Sequence, residues 1–529
     1  MKSDARRRGD EILADYYDSD HPRVLCGATE NWDDASVGLG LATDVAFYAG
    51  LRPGARVVEL GAGTGRVTEG LLAVGCEVHA VEPSEPMRAR LEARIAELGA
   101  GEAITVHTSL ETVPRELDFA VLAFGVLSCV PSRAEQLLLL TQLRSLLREG
   151  GLLALDDPEP EVLVAPAPAH LTPTWIRTHV ERGARYVRSA TRSVPSTGGE
   201  LVIRGSYQEA GLSEASFELR LCVSSAAQKA KLLAEAGFGD LAFARGPHAP
   251  TPLGPRAFVL ATAGKGDGSN ATRWWSGDPS GVAQTALSSA AARALDARGA
   301  SLVGDRYAIC LQGETGRQLL ADTGGVEMAA SIVARTAWFD DQIRAASRPP
   351  AGLLHLGAGL CARALRMKEL ARVQITEVDH PELLRFKRER LACFPAPGVR
   401  ALGLDIHDVP RVLSELERLP RPRWVLAEGL LPYLDPAAAE ALVEGVARRL
   451  GCEERVLFDT PAPGLTGNAA VAATLAGRGL PFHCWSPEAV LSRLPGVAFR
   501  ATHLGAPDAR AGLPAAPQGG TLLWSVGTA

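Results

Sequence analysis

Two short stretches carry residues whose types and spacing suit the binding of a nucleotide-like group. The first, Glu59-Leu-Gly61-Ala-Gly63-Thr-Gly65, follows an apolar run and precedes an amphipathic one. Glycines at alternate positions allow a tight turn and close backbone approach to a ligand. The helix start beyond them offers N–H groups with no partner inside the helix. Glu82 follows at the end of the next apolar run, where a carboxylate can accept both hydroxyls of a ribose. The second stretch, AGLLHLGAGLCARALR (351–366), repeats the design with Gly357 and Gly359, and Asp379 stands where Glu82 does.

Such turns need strands to present them. In the first half, ARVVELG (55–61), CEVHAVE (76–82), AITVHTS (103–109), LDFAVLAFG (117–125) and GLLALDD (151–157) read as strands one to five. Helical spacing fills the gaps at 64–75, 86–99 and 134–151. This alternation implies a parallel doubly wound sheet, with its ligand at the carboxyl ends of the strands. After strand five, residues 184–194, 199–210 and 215–225 read as three strands of an antiparallel insertion. A helix at 227–238 follows, and GDLAFAR and RAFVLATA (256–263) close the main sheet as an antiparallel pair.

The stretch AGKGDGSNA (263–271) reads as a linker. The expected division is 1–263, a linker at 264–272, and 273–529. Trp274 and Trp275 after the linker could stack on a substrate, but are rather expected to pack a lid helix or the domain interface. The second half opens with helices at 282–299 and 328–346. It then repeats the strand–glycine turn–helix design at 351–366, with strand two in 373–391, strand three at 398–408, strand four at 423–436 and strand five at 454–463. The fold class is therefore α/β, with two Rossmann-like domains, the first carrying an antiparallel β insertion after strand five.

The first half resembles the class I S-adenosylmethionine-dependent methyltransferases, whose motif E/D-x-G-x-G-x-G matches residues 59–65 position by position. The resemblance implies that Glu59, Gly61, Gly63 and Gly65 hold the methionine part of S-adenosyl-L-methionine and Glu82 its ribose. It places Ser109 and Leu110 at the adenine and Gly125 beside the cofactor. The second half resembles the leucine carboxyl methyltransferase family, which includes polyketide O-methyltransferases. The matching phrases are ArgThrAla at 335–337, GAGLCAR at 357–363, EVDHP at 377–381, LDIHD at 404–408 and AEGLLPYL at 427–434. This implies that Arg335 pairs with the cofactor's carboxylate and that Gly357 and Gly359 form the turn. Asp379 then takes the ribose, Asp405 and Ile406 the adenine, and Glu428 the amino group. The family usually reads GAGLDTR; Cys361 and Ala362 replace its Asp-Thr pair here. That change removes polar contacts behind the turn, and Cys361 reads as a small packing residue.

Methyl transfer is an in-line displacement, so alignment is the main task. A carboxylate acceptor needs no base, whereas a hydroxyl or protonated amine must lose a proton. Tyr16, Tyr17, His21, His170, His179 and Tyr186 lie in segments that could cover the first site, and their spacing selects none as catalytic. The leading expectation is a bifunctional enzyme of secondary metabolism. It would carry out N- or O-methylation in the first domain and carboxyl or hydroxyl O-methylation in the second. Two alternatives are an active first domain with the second as scaffold or recognition module, and a non-catalytic S-adenosylmethionine-binding protein.

Composition narrows the partners. The 529 residues exceed one ordinary core, which favours two domains. A net charge of −6 without a basic run argues against nucleic acid. No apolar stretch suits a bilayer and the N-terminus lacks a signal-peptide pattern. The nine cysteines are scattered without zinc spacing, so no metal and a reducing cytoplasm are expected. The acceptor is expected to be a small molecule or peptide, and the insertion to roof the pocket or form a homodimer contact.

Overall fold

A computed structural model of the chain describes residues 2–22, 41, 43–158, 175–193, 200–245, 256–273, 277–297, 301–394, 396, 398–461, 472–483, 485–504 and 521–528. His170, Trp274 and Trp275 lie outside the described residues. The chain forms two compact units, Met1–Trp275 with Ala392–Pro395, and Ser276–Leu391 with Ala396–Ala529.

The first unit is built on strands β1 (Arg56–Leu60), β2 (Glu77–Val81), β3 (Ile104–His107), β4 (Leu117–Leu122) and β5 (Leu147–Pro158). They pair in parallel in the order β3-β2-β1-β4-β5. Val57, Val58, Val78, Phe119, Ala120 and Val121 are fully buried because helices cover both faces of such a sheet. Helix Arg66–Ala73 starts directly behind Gly65, and helix Glu85–Leu98 carries Pro86 in its first turn and ends at left-handed Gly99. The helix expected over 134–151 runs Arg133–Leu146 and stops earlier. Its following residues are claimed by β5, and Gly150, at φ 74°, cannot continue a helix.

The insertion is an antiparallel sheet of β6 (Trp175–Thr178), β7 (Arg185–Ser193), β8 (Glu200–Glu209) and β9 (Ala215–Cys222). The sequence reading has three of these strands; the short β6 pairs Trp175 with Arg188 at the sheet's edge. Ser225 and Gln228 form a reciprocal capping box at the helix Ala226–Glu235. Strands β10 (Phe238–Arg245) and β11 (Arg256–Ala263) then close the main sheet, β11 running antiparallel to β5. Within 264–272, Ser269–Thr272 forms a 3-10 turn. There Asn270 Nδ2 donates to Asp240 O at 2.7 Å and to Thr262 Oγ1 at 3.0 Å.

The second unit repeats the layout with β12 (Gly352–Leu356), β13 (Gln374–Asp379), β14 (Val399–Gly403), β15 (Arg423–Ala427) and β16 (Arg455–Pro461). A terminal antiparallel pair, β17 (Val497–His503) and β18 (Thr521–Thr528), gives the order β14-β13-β12-β15-β16-β18-β17. The strand sequence matches that of the first unit, place for place. Four helices among the described residues, Gln284–Ala297, Ala308–Leu311, Gly313–Asp322 and Gly325–Arg344, precede this sheet.

Candidate functional site

Strand register aligns the two units residue by residue. Glu59 of β1 pairs with Val121, and His355 of β12 with Leu426, so His355 stands in the place of Glu59. Gly61 and Gly63 then correspond to Gly357 and Gly359. All four have left-handed φ between 48° and 69°. A Cβ on Gly61 would lie 2.6 Å from Val126 Cγ2, and one on Gly357 2.9 Å from Leu430 Cδ1. Both positions therefore need glycine for conformation and for space.

Each turn is clasped by the acid at the end of the second strand. Gly63 N donates to Glu82 Oε2 at 2.8 Å, and Ser84 N to Glu82 Oε1 at 2.8 Å. Gly359 N donates to Asp379 Oδ2 at 2.7 Å, and His380 N to Asp379 Oδ1 at 2.7 Å. Burial raises the pKa of both acids, against these backbone hydrogen bonds.

In the first unit a helix, α1 (Lys2–Asp20), lies over the turn. Asp18 accepts from Thr64 Oγ1 and from Arg94 Nη2, both at 2.6 Å. Asp20, 1% exposed, accepts from Trp175 Nε1 at 2.8 Å and from Tyr186 and Tyr207 hydroxyls at 2.6 Å. These ties bring the Tyr17 ring 3.9 Å from where a Gly63 Cβ would be, with His21 against Tyr17 and edge-on to Phe124. Burial pushes the Tyr17 phenol up to about 12. Burial, then Arg66, hold His21 well below its usual value, so it is neutral at physiological pH. Its Nδ1 lies 3.0 Å from Tyr17 O; the carbonyl can only accept, which puts the proton on Nδ1 and the lone pair on Nε2. Tyr16 stacks on Tyr207, and His179 Nε2 contacts Asp15 O at 3.0 Å; both brace the helix.

Glu59 is buried and accepts from Thr68 Oγ1 at 2.6 Å. Burial raises its pKa to about 7, more than Thr68 and Arg66 lower it. It ties β1 to the helix that follows the turn. Ser109 caps a short 3-10 turn, and Leu110 beside it is buried. Gly125, at φ 79°, follows Phe124, a non-glycine residue at φ 61°. That conformation costs about 1–2 kcal/mol for an L-residue. Phe124 N donates to Asp156 Oδ1 at 2.8 Å, and Arg256 Nη1 holds Asp156 Oδ2 at 2.8 Å. Arg66 grips Asp44 bidentately at 2.6 and 2.8 Å. This buried network of two arginines and two aspartates underlies the loop.

In the second unit a cavity of about 770 Å³ opens over the glycine turn. That volume is within the range of small-molecule sites. Gly359, Cys361, Arg335, Glu428, Asp459 and Tyr433 are among its walls. Glu428 accepts from Thr336 Oγ1 at 2.6 Å and Arg363 Nη2 at 2.7 Å. Burial would raise its pKa, but Arg363, Arg335 and Arg293 outweigh it and hold the carboxylate ionised. Arg335 reaches Asp459 Oδ2 at 3.4 Å, while its Nε, 3.6 Å from Glu428 Oε1, makes no hydrogen bond among the described residues. Cys361 is more than packing: its sulfur accepts from Arg363 Nη1 at 3.3 Å. Arg363 Nε also binds Asp340 Oδ1 at 2.7 Å. Asp405, 74% exposed at its side chain, is engaged by His407 N and Nδ1. Neither Asp405 nor the buried Ile406 lines the cavity.

Residues 286–447 match the leucine carboxyl methyltransferase family model, and residues 58–153 a methyltransferase domain model. A Mycolicibacterium gilvum (strain PYR-GCK) protein named for S-adenosyl-L-methionine-dependent methyl transfer is 33% identical over 222 residues, 38% of this chain and 74% of its own length. The chain is an S-adenosyl-L-methionine-dependent methyltransferase. The tetracenomycin polyketide synthesis O-methyltransferase TcmP of Streptomyces glaucescens is 34% identical over 161 residues, 29% of this chain and 56% of that protein. Among solved structures, the CcbJ methyltransferase from Streptomyces caelestis is 23% identical, covers 49% of this chain and 98% of its own, and has a TM-score of 0.37.

The residues fit this methyltransferase's cofactor. In each turn the first glycine, Gly61 or Gly357, leaves no room for a Cβ, an acid is clasped beside it, and among the described residues Arg335 offers a buried N–H without a hydrogen bond. Asp156, Arg256, Asp459 and Arg293 were not singled out by sequence reasoning, and Thr336 stood only inside a matched phrase without a role. A signal was present: strand five ends Asp156-Asp157-Pro158 in one half and Asp459-Thr460-Pro461 in the other.

Proposed function

We propose that the chain is a bifunctional methyltransferase acting on a small molecule or peptide of secondary metabolism. Its first domain transfers to nitrogen or oxygen, and its second to a carboxyl or hydroxyl oxygen. The observation that carries the reading is the shared clasp, Gly63 on Glu82 and Gly359 on Asp379. S-Adenosylmethionine, when bound, supplies a methyl group activated by a positive sulfonium sulfur. In the first site Gly61, Gly63 and Glu82 hold it, with Ser109, Leu110 and Gly125 alongside. In the second, Gly357, Gly359 and Asp379 would do so, with Arg335 and Glu428 toward its charged end and Asp405 and Ile406, outside the cavity wall, toward its adenine.

The chain's own work is to align the acceptor and keep water out. Tyr17 and His21 form the cover of the first site. His21, neutral with a free Nε2 lone pair, suits taking a proton from an amine or hydroxyl acceptor. In the second site the helix faces that line the cavity supply the enclosure. A scaffold role for the second domain is disfavoured by that cavity, which lies over its turn with ionised Glu428 in the wall.

The test uses methyl-labelled cofactor and a small-molecule extract of the host. Gly63→Val and Gly359→Val should each abolish a different labelled methyl group. Loss of all label from one substitution and none from the other would mean a single active domain. No label with wild type would sink the reading.

A further inference from the structure

The register that equates the two glycine turns also equates the ends of strands four and five. Leu122 pairs with Leu155, and Ala427 with Phe458. One step beyond each pair stand Asp156 and Asp459, opposite Ala123 and Glu428. Two steps beyond strand four stand Phe124 and Gly429, at φ 61° and 65°. Both donate their backbone N–H to Oδ1 of the strand-five aspartate, at 2.8 Å from Phe124 and 2.6 Å from Gly429. In both units an arginine holds the other carboxylate oxygen. It is Arg256 from β11 at 2.8 Å in the first, and Arg335 from helix Gly325–Arg344 at 3.4 Å in the second.

The arginines come from unrelated elements, so the device is not a by-product of one local sequence. The loop it fixes runs on to Val126, which packs against Gly61 of the turn, in one unit, and carries the cavity-lining Glu428, Gly429 and Pro432 in the other. Glu428 is bracketed by the fixed pair, since Gly429 is its neighbour and Arg335 touches both acids. A Cβ on Gly429 would lie 2.8 Å from Arg335 Nη2, so the guanidinium packs directly on the left-handed backbone.

Building on the two-site reading, we infer that Asp156 and Asp459 are positioning residues of the two cofactor sites. Each locks the second residue after strand four in a left-handed conformation by accepting its amide, and so sets the wall that faces the cofactor. They act through Phe124 and Gly429. The inference also predicts an asymmetry. Glycine adopts the conformation without help and phenylalanine does not, so losing Asp156 should cost the first site more than losing Asp459 costs the second.

The test is a titration of S-adenosylhomocysteine into the full chain carrying Asp459→Asn, Asp459→Ala, Asp156→Asn or Asp156→Ala, with circular dichroism to confirm folding. Asparagine keeps an oxygen that accepts the amide; alanine does not. Expected are an affinity within about threefold of wild type for Asp459→Asn and at least tenfold weaker binding at one site for Asp459→Ala. Asp156→Ala should weaken the other site further. If the Asp156 variants fail to fold, the Asp459 pair decides alone. Equal losses in Asn and Ala would overturn the inference, because charge and not the amide contact would then matter. Unchanged binding in both would overturn it too. A wild-type chain that binds no S-adenosylhomocysteine would instead sink the two-site reading, and this inference with it.

Discussion

Glu428 sits among arginine side chains that set its ionisation. Arg363 is 2.7 Å away and Arg335 3.6 Å. Its pKa in the fold is below the ordinary 4.5, so its contribution to stability is complete above that value and is lost as pH falls through the depressed one. Glu428→Gln should destabilise the second unit at neutral pH by about 3 kcal/mol, since it removes the charge that Arg363 and Arg335 share and leaves them only Asp340 and Asp459. Thermal melts should show the gap to wild type closing in acid. Glu59 has the opposite sign. Burial lifts its pKa to about 7, so the stability it brings is complete below 4.5 and is lost as pH rises through 7. Glu59→Gln, still able to accept from Thr68, should therefore stabilise the first unit above that pH by up to about 3 kcal/mol, and match wild type in acid. A variant less stable than wild type at high pH would show that the carboxylate is ionised and held. These differences were beyond sequence reading. Glu59 and Glu428 are both acids in motifs, and what separates them is the number of arginines brought near from distant positions.

At the scale of elements, helix α1 owes its place to Asp20. Two tyrosine hydroxyls and an indole N–H converge on one carboxylate, and Arg188 Nε lies 3.3 Å from it. Asp20→Ala should leave three buried donors without an acceptor and free the helix from the insertion sheet. Hydrogen exchange should then rise across residues 2–20, with the β1–β5 core unchanged. A helix that stays protected would mean that Asp18 and its partners suffice. The parallel strands were legible because each is an apolar run punctuated by glycine or a charged turn, as in Arg56–Leu60 and Gly352–Leu356. Strand β6 was not, since four residues with two of them polar give no period to read. The pair β17–β18 was missed because its partners are assembled over distance rather than by a hairpin signal in sequence. Of the site, the glycine turns and their acids could be read from spacing. The strand-five aspartates were visible only as a repeated Asp-x-Pro, whose meaning needs the register.

At the scale of the whole molecule, the chain holds two sheets of the same order, each with a glycine turn at the end of its central strand and an acid clasped to it. The central claim is that both turns bind the cofactor. The most direct measurement is the number of S-adenosylhomocysteine molecules bound per chain, by calorimetry with native mass spectrometry as a check. Two sites per chain is the predicted result, with Gly63→Val and Gly359→Val each removing one. A single site, kept in one of these variants and lost in the other, would contradict it.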